Sequence, residues 1–392
     1  MEFGSYAFKG VPATINVSHF KGQNSVEEYN LIIQPTQYGN TETQLEWVYQ
    51  AYQQVLAELG LEMQTAVFRR FFCSDLLNQT AILQASVFSQ VANRKEPCAI
   101  SWVCQPSIPP AKIAVWVYHI KDGNNKLDKL QNGTTLMVKR NNLSHYWTTG
   151  QTYLTGKTLY DQTHEIFNRY TTCLQSQNMT LADNVIRTWF FVQNIDAEYQ
   201  GLVTARREFF AEHGLTTDTH FIASTGIEGS YTEANAKVVM DAYAISGIQA
   251  KQIEFLEALD HLSPTYIYGV TFERGTAISY QDRKHIFISG TASIDNQGTI
   301  LYPGDVLRQL ERTLENIEAL LASAGAALKD MGMFIVYVRD YTDYEIVQRQ
   351  LKKRFGEMPM IISVAPVCRP GWLVEIEGQA IIPASNPDFP LY

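Results

Sequence analysis

Two carboxylates, Glu375 and Glu377, stand two residues apart in the run Val374-Glu375-Ile376-Glu377. The run follows a Pro370-Gly371 turn and continues through Gln379, Ala380, Ile381 and Ile382. Strand side chains alternate with period 2, so both glutamates share one face and Val374, Ile376 and Gly378 take the other. Such a face is either wetted or holds a carboxyl group in a pocket. In a pocket, burial disfavours the charged form and raises the pKa, which makes a glutamic acid a proton donor near neutral pH. Glu375, flanked by Val374 and Ile376, is the candidate acid, and Glu377 reads as structural.

A carboxylate-bearing substrate needs cations, preferably arginines that bind in two-pronged fashion. Arg274 precedes Gly275 in a strand-like run, and Arg187 lies between apolar strand residues. Arg369 precedes the Pro370-Gly371 turn. Gly226, with Ser224 and Thr225, could bring backbone N–H groups to an anion. Each has a plainer reading: a surface ion pair for Arg274, a structural arginine for Arg187, simple exposure for Arg369, a strand-end turn for Gly226. Cys368 has no evident His or Asp partner and reads as a structural thiol before a nucleophile. His220 and His285 stand at strand starts, and no HxH or HxxxH spacing points to a metal. Trp47, Trp102, Trp147 and Trp189 read as core.

The elements that must position these residues recur three times. In the last third, His285–Gly290 reads as a strand and Asp305 as the cap of a helix carrying Val306, Leu310, Leu314, Ile317, Leu320 and Leu321, stopped at Gly325. A strand over 333–340, a helix over 344–355, a strand over 360–367 and the glutamate strand complete a ββαβαββ order, with both helices on one sheet face. The same order is read from Tyr146–Gly150 through Ala236–Tyr243, and again from Tyr29–Ile33 through Lys112–Tyr118. Gly60 to Asp75 and Gly325 to Asp340 are both fifteen residues. The expected class is α+β, as tandem modules over 1–120, 126–248 and 264–392. Linkers are expected over 121–133 and 247–264.

The chain has 392 residues, 45% of them hydrophobic and 18% charged, enough for a sizeable core. No apolar run approaches a membrane span, and the start Met1-Glu2-Phe3-Gly4-Ser5 lacks a secretory pattern. The five cysteines include no CxxC pair, so neither a disulfide framework nor a zinc site is indicated, and a reducing cytoplasm fits. A net charge of −9 argues against nonspecific nucleic-acid binding. The expected partner is a small carboxylate-bearing substrate, with no nucleic acid, membrane, metal or organic cofactor, in a monomer or weak homo-oligomer.

Residues 264–382 resemble the Rid/YjgF family of reactive-intermediate deaminases. The resemblance rests on Ile288-Ser289-Gly290, Gly304-Asp305-Val306, Thr313 to Ile317, Tyr337 to Asp340, and Val374 to Glu377. It implies trimers with ligand sites at subunit interfaces, so three modules in one chain would form a pseudo-trimer. Those deaminases carry a substrate-binding arginine just after a proline, where this chain has Pro359 and then Ile361. A longer resemblance, over 180–382, is to chorismatases. It rests on Arg187-Thr188-Trp189, Ala205 to Phe209, Ala223 to Ile227, Phe272 to Gly275 and Ile288 to Ile294. It implies hydrolysis of an enolpyruvyl ether with Glu375 as acid, and Arg274, Gly275, Arg187, Cys368, Arg369 and Gly226 against the substrate. The alternatives are a non-catalytic carboxylate-binding protein and an imine deaminase.

Overall fold

A computed structural model describes residues 1–91, 97–123 and 125–392. The first module holds β1 (Glu2–Ala7), β2 (Ala13–Lys21), β3 (Val26–Pro35), α1 (Thr41–Leu59), β4 (Ala66–Cys73), α2 (Leu76–Ala85), β5 (Ala99–Cys104) and β6 (Ile113–Asp122). The second holds β7 (Asp128–Asn132), β8 (Thr135–Arg140), β9 (Leu143–Gln151), α3 (Leu159–Gln175), α4 (Leu181–Asn184), β10 (Val185–Val192), α5 (Ile195–Glu212), β11 (Ala223–Glu228) and β12 (Val238–Ser246). The third holds β13 (Ile253–Phe255), β14 (Gly275–Ser279), β15 (Arg283–Ala292), α6 (Val306–Ser323), β16 (Met331–Val338), α7 (Tyr344–Phe355), β17 (Met360–Val364) and β18 (Val374–Pro383).

Each module builds a six-stranded sheet of the same topology, β1-β2-β3-β6-β4-β5, β7-β8-β9-β12-β10-β11 and β13-β14-β15-β18-β16-β17. The three sheets with their helices make the α+β class, and three repeats in one chain fit a pseudo-trimer. One pair per sheet is parallel: β4–β5, β10–β11 and β16–β17. The intervening helix supplies the crossover that parallel neighbours need. Asp305 caps α6 by accepting from the Arg308 N–H at 3.0 Å, and Gly325 follows in the left-handed region at φ 79°. The expected linkers are partly strand: β7 lies within 121–133 and β13 within 247–264. Asn124, in the first of them, lies outside the described residues.

β4, β10 and β16 are buried along their whole length, with apolar residues on both faces and Arg69, Arg70 and Arg187 as buried exceptions. One face meets the module's own helices. The other meets an inner core shared by all three sheets, with Trp116, Trp147, Trp189, Phe287 and Ile335 in one cluster. Trp102 is also buried, whereas Trp47 is partly exposed.

Three isolated bridges close the modules into a ring. Cys104 of the first pairs with Ser230 of the second, Ile227 of the second with Val367 of the third, and Ser363 of the third with Ser107 of the first. A buried ionic centre ties the first module to the third. Glu28 accepts from Arg283 Nη1 at 2.5 Å, pairs with His285 Nε2 at 2.9 Å, and accepts from the Tyr118 hydroxyl. Tyr392 joins it, its hydroxyl 2.8 Å from that of Tyr118. Burial alone would raise the Glu28 pKa, but His285 and Arg283 bring it down to about 2.

Removing one partner of a buried pair strands the other charge. Glu28→Ala is therefore expected to destabilise the protein at pH 7 by about 3 kcal/mol in denaturant titration. A lowered carboxylate pKa stabilises above the unfolded value of 4.5 and loses that stabilisation as pH falls towards about 2. The deficit of the variant should shrink over that window.

Candidate functional site

The junctions of the ring are not equivalent. In each module the end of the fourth strand of the repeat pairs with the start of the last: Cys73 with Ile113, Val192 with Val238, Val338 with Val374. Counting from those pairs, the positions of Glu375 and Glu377 correspond to Val239 and Asp241 in the second module. In the first they correspond to Ala114 and Trp116. Only β18, facing β10 and β11 across the second junction, brings both carboxylates.

The inner positions of two junctions are built alike. Glu377 accepts from Thr225 Oγ1 at 2.7 Å, Trp189 Nε1 at 2.8 Å and Tyr337 Oη at 2.5 Å, and is ion-paired with Arg187. Asp241 accepts from Ser101 Oγ at 2.5 Å, Arg70 Nη2 at 2.8 Å and the Gly150 N–H at 2.8 Å. Ser101 holds the β5 position that Thr225 holds on β11. These carboxylates clamp one module to the next.

The outer position differs. Glu375 is 4% exposed and lines a pocket between the second and third modules. The β15–β18 register breaks between Ile288 and Thr291, and Gly290 lies in that break. A Cβ on Gly290 would fall 2.3 Å from Glu375 Oε1, so glycine here makes room for the carboxyl. At the first junction, a Cβ on the matching Gly150 would fall 2.6 Å from the Tyr231 hydroxyl. There a tyrosine fills the space that a carboxyl fills beside Gly290.

Burial drives the Glu375 pKa up to about 8, the charge of Glu377 adds to the rise, and Arg187 and Arg274 oppose it. Among the described residues no hydrogen bond contributes to that shift. Helix α5 contributes Tyr199 and Arg206 to the pocket, and β11 contributes Ser224, Thr225 and Gly226. The segment before β14 contributes Val270, Phe272 and Arg274, and the turn before β18 contributes Cys368, Arg369 and Trp372. Two guanidinium carbons lie near the Phe272 ring, Arg206 at 5.8 Å and Arg274 at 5.5 Å from its centroid. Arg206 donates to Thr271 Oγ1 at 3.3 Å, and Arg274 to the Ser263 carbonyl at 2.8 Å. Arg369 stacks on Trp372 at 5.2 Å. A buried neutral acid, three arginines and three aromatic rings suit protonation of an anionic, unsaturated molecule.

Residues 276–382 match the model of the family described as Endoribonuclease L-PSP. A RutC family protein of Pyrococcus abyssi is 34% identical over 96 residues, which are 24% of this chain and 76% of that protein. The chain belongs to the Rid/YjgF family. A second relative of this Rid/YjgF chain is a 3-aminoacrylate deaminase RutC of Acinetobacter baylyi, 29% identical over 97 residues, 24% of this chain and 77% of that one. Among solved structures, a chorismatase covers 81% of this chain and 93% of its own with a TM-score of 0.62. At 19% identity that likeness is one of fold.

Of the residues singled out in this Rid/YjgF sequence, Glu375, Arg274, Arg369, Cys368 and Gly226 line one pocket. Two are placed elsewhere. Arg187 is drawn to Glu377 and borders the inner core beside Trp116 and Trp147. Gly275 pairs with Ile288, where a Cβ would meet the Phe287 carbonyl at 2.8 Å. Its role is close strand packing. Burial pushes the Cys368 thiol up to about 12, so it stays protonated. His285 belongs to the Glu28 centre, and no group of three metal-ligating side chains occurs among the described residues. No described helix is long and apolar enough to cross a membrane.

Arg206 was the main omission. It lies on the buried face of α5 with Leu202, Val203, Phe209 and Phe210. An arginine inside an apolar helical stripe is the signal that could have found it.

A carboxyl whose folded pKa is raised destabilises the folded state once the unfolded chain ionises, from about pH 4.5 upward. For Glu375 the penalty grows to about pH 8 and is then constant. Glu375→Gln is accordingly expected to be more stable than the native chain above pH 8 and to lose that advantage towards pH 4.5. Melting temperatures across that range check it.

Proposed function

We propose that the chain is a chorismatase-like hydrolase that cleaves the enolpyruvyl ether of chorismate or a related cyclic carboxylic acid. The observation that carries this reading is Glu375: a buried carboxyl with a pKa near 8, in a pocket with Arg206, Arg274 and Arg369. The fold likeness to a chorismatase over most of both chains supports it.

Glu375 gives its proton to the terminal methylene carbon of the enol ether. The double-bond electrons form the new C–H bond, and positive charge develops on the ether carbon as an oxocarbenium ion. Water adds there and releases a proton that restores Glu375. The resulting hemiketal collapses to pyruvate and an alcohol, with a proton moving to the leaving oxygen. Arg206 and Arg274 hold carboxylates of the substrate and so orient its double bond on Glu375.

The space beside Glu375 is about 30 Å³, room for one or two waters. A ring-sized substrate enters when the wall of Val270 and Phe272 withdraws. That wall is held by a small apolar cluster with Val203 and Tyr199, separate from the main core.

The second reading is a Rid-type deaminase, favoured by the similarity to a 3-aminoacrylate deaminase. Against it, Ile361, where those enzymes carry an arginine, is fully buried on β17.

Incubation with chorismate, with pyruvate read through a coupled dehydrogenase, tests the first reading. Pyruvate release is expected, falling by about 10²–10⁴-fold in Glu375→Gln. Arg206→Lys and Arg274→Lys should raise KM about tenfold with a smaller change in kcat. No pyruvate above background removes the hydrolase reading, and ammonia from an imine substrate would favour the deaminase.

A further inference from the structure

Glu377 does not itself line the pocket and reaches its wall only through Thr225, yet it stands two residues from Glu375 on the same face of β18 and is 2% exposed. Its oxygens receive Arg187 and Thr225 from the second module's β10 and β11, Trp189 from β10 and Tyr337 from β16. Every one of these groups donates, and only a carboxylate accepts from all of them at once. A proton on Glu377 would cost the charge-assisted bond to Arg187 and force a hydroxyl partner to reverse its direction. The junction therefore fixes a negative charge one strand repeat from the Glu375 carboxyl.

We propose that Glu377 is a positioning residue that keeps the proton on Glu375 and withdraws Arg187 from the substrate pocket. The proposal rests on the reading of Glu375 as the acid. Two like charges this close in a buried site do not both ionise, so the anchored carboxylate leaves the other as the neutral acid. Arg187 opposes the rise at Glu375 from where it stands, and its ion pair is with Glu377 and not with Glu375.

The other charged or titratable groups around Glu375 do not substitute for this arrangement. Arg206 and Tyr199 on α5, Arg274 before β14, and Arg369 before β18 line the pocket. Of these, Arg274 favours ionisation of Glu375, as Arg187 does from the junction. Cys368 stays a thiol, and the Tyr337 phenol, pushed up by burial and by Glu377, stays neutral. Glu377 is thus the anion that opposes the arginines. The matching Asp241 binds its own donors beside Val239, so the clamp exists where there is no acid to tune.

Isotope-edited infrared titration of the carboxyl stretch tests this without any substrate, with Glu375→Gln assigning the band. The native chain should titrate near pH 8. Glu377→Gln should lower the midpoint by about one unit or more, tenfold in proton affinity, and Glu377→Asp, which keeps the charge, should restore it. Should Glu377→Gln fail to fold for want of a partner for Arg187, the Arg187→Met/Glu377→Gln double variant leaves no stranded charge. Its midpoint should still fall, by less. A native midpoint near 4.5 overturns the acid itself and with it the proposed function. A native midpoint near 8 that does not move in Glu377→Gln, or in the double variant, overturns only the role of Glu377.

Discussion

Everything at the second junction follows from placing two acidic side chains on one buried face of one strand. Removing a single carboxylate from water is costly, and removing two costs more than twice as much because they repel. The protein resolves this by giving the two oxygen pairs opposite surroundings. Glu377 receives a guanidinium, an indole N–H and two hydroxyls, whereas Glu375 packs against a glycine in a register break. One is held by an arginine and three further donors, and burial makes the other a neutral acid near pH 7. The distinction comes from what faces each residue across the junction, since their own strand treats them alike.

That logic also bears on why, among the described residues, a threefold repeat brings the two carboxylates together at one junction. A ring with three equivalent junctions would carry three pairs of carboxylates. Here the first junction keeps the inner acid and loses the outer one to Val239, while Tyr231 packs against Gly150. The third has Ala114 and Trp116 in the matching places, and the Trp116 indole donates to Asn30 Oδ1 at 3.0 Å. The change from acid to apolar residue removes the second carboxylate from those junctions, which keep one buried ion pair at Asp241 and Arg70 and another at Glu28 and Arg283. Apolar replacements of a buried ion pair are commonly neutral or stabilising. Retaining the full set at one junction concentrates the electrostatic cost where chemistry can use it.

How much of this could be read from residues alone divides by the range of the contact. The glutamate strand, the two-sided apolar strands, the α6 cap at Asp305 and the fifteen-residue spacing are local patterns, and they appear where expected. The short or edge strands β1, β7 and β13 were missed because they carry little apolar alternation, with β7 alternating only between exposed and half-buried residues. The acid was legible from its neighbours. Its cations were legible only in part: Arg274 and Arg369 line the pocket as expected, whereas Arg187 and Arg206 both lie in apolar stretches and only the docking of β18 decides which one meets the pocket. Arg187 meets Glu377, 190 positions away.

The arginines complete the electrostatic argument. A cation inserted beside Glu375 to bind a substrate carboxylate would also pull the proton off the acid. Arg206 and Arg274 avoid part of that effect by position. Both lie beside Phe272, and their hydrogen bonds to the Thr271 and Ser224 hydroxyls and the Ser263 carbonyl aim them along the pocket wall. Under the proposed function, an incoming carboxylate would neutralise the arginines just as the reacting double bond reaches the acid. Proton affinity at Glu375 would then rise on binding, so the group would be most firmly protonated when its proton is about to be used. Such a site would couple anion binding to acid strength in the direction that guards against premature ionisation, at the expense of some driving force for transfer.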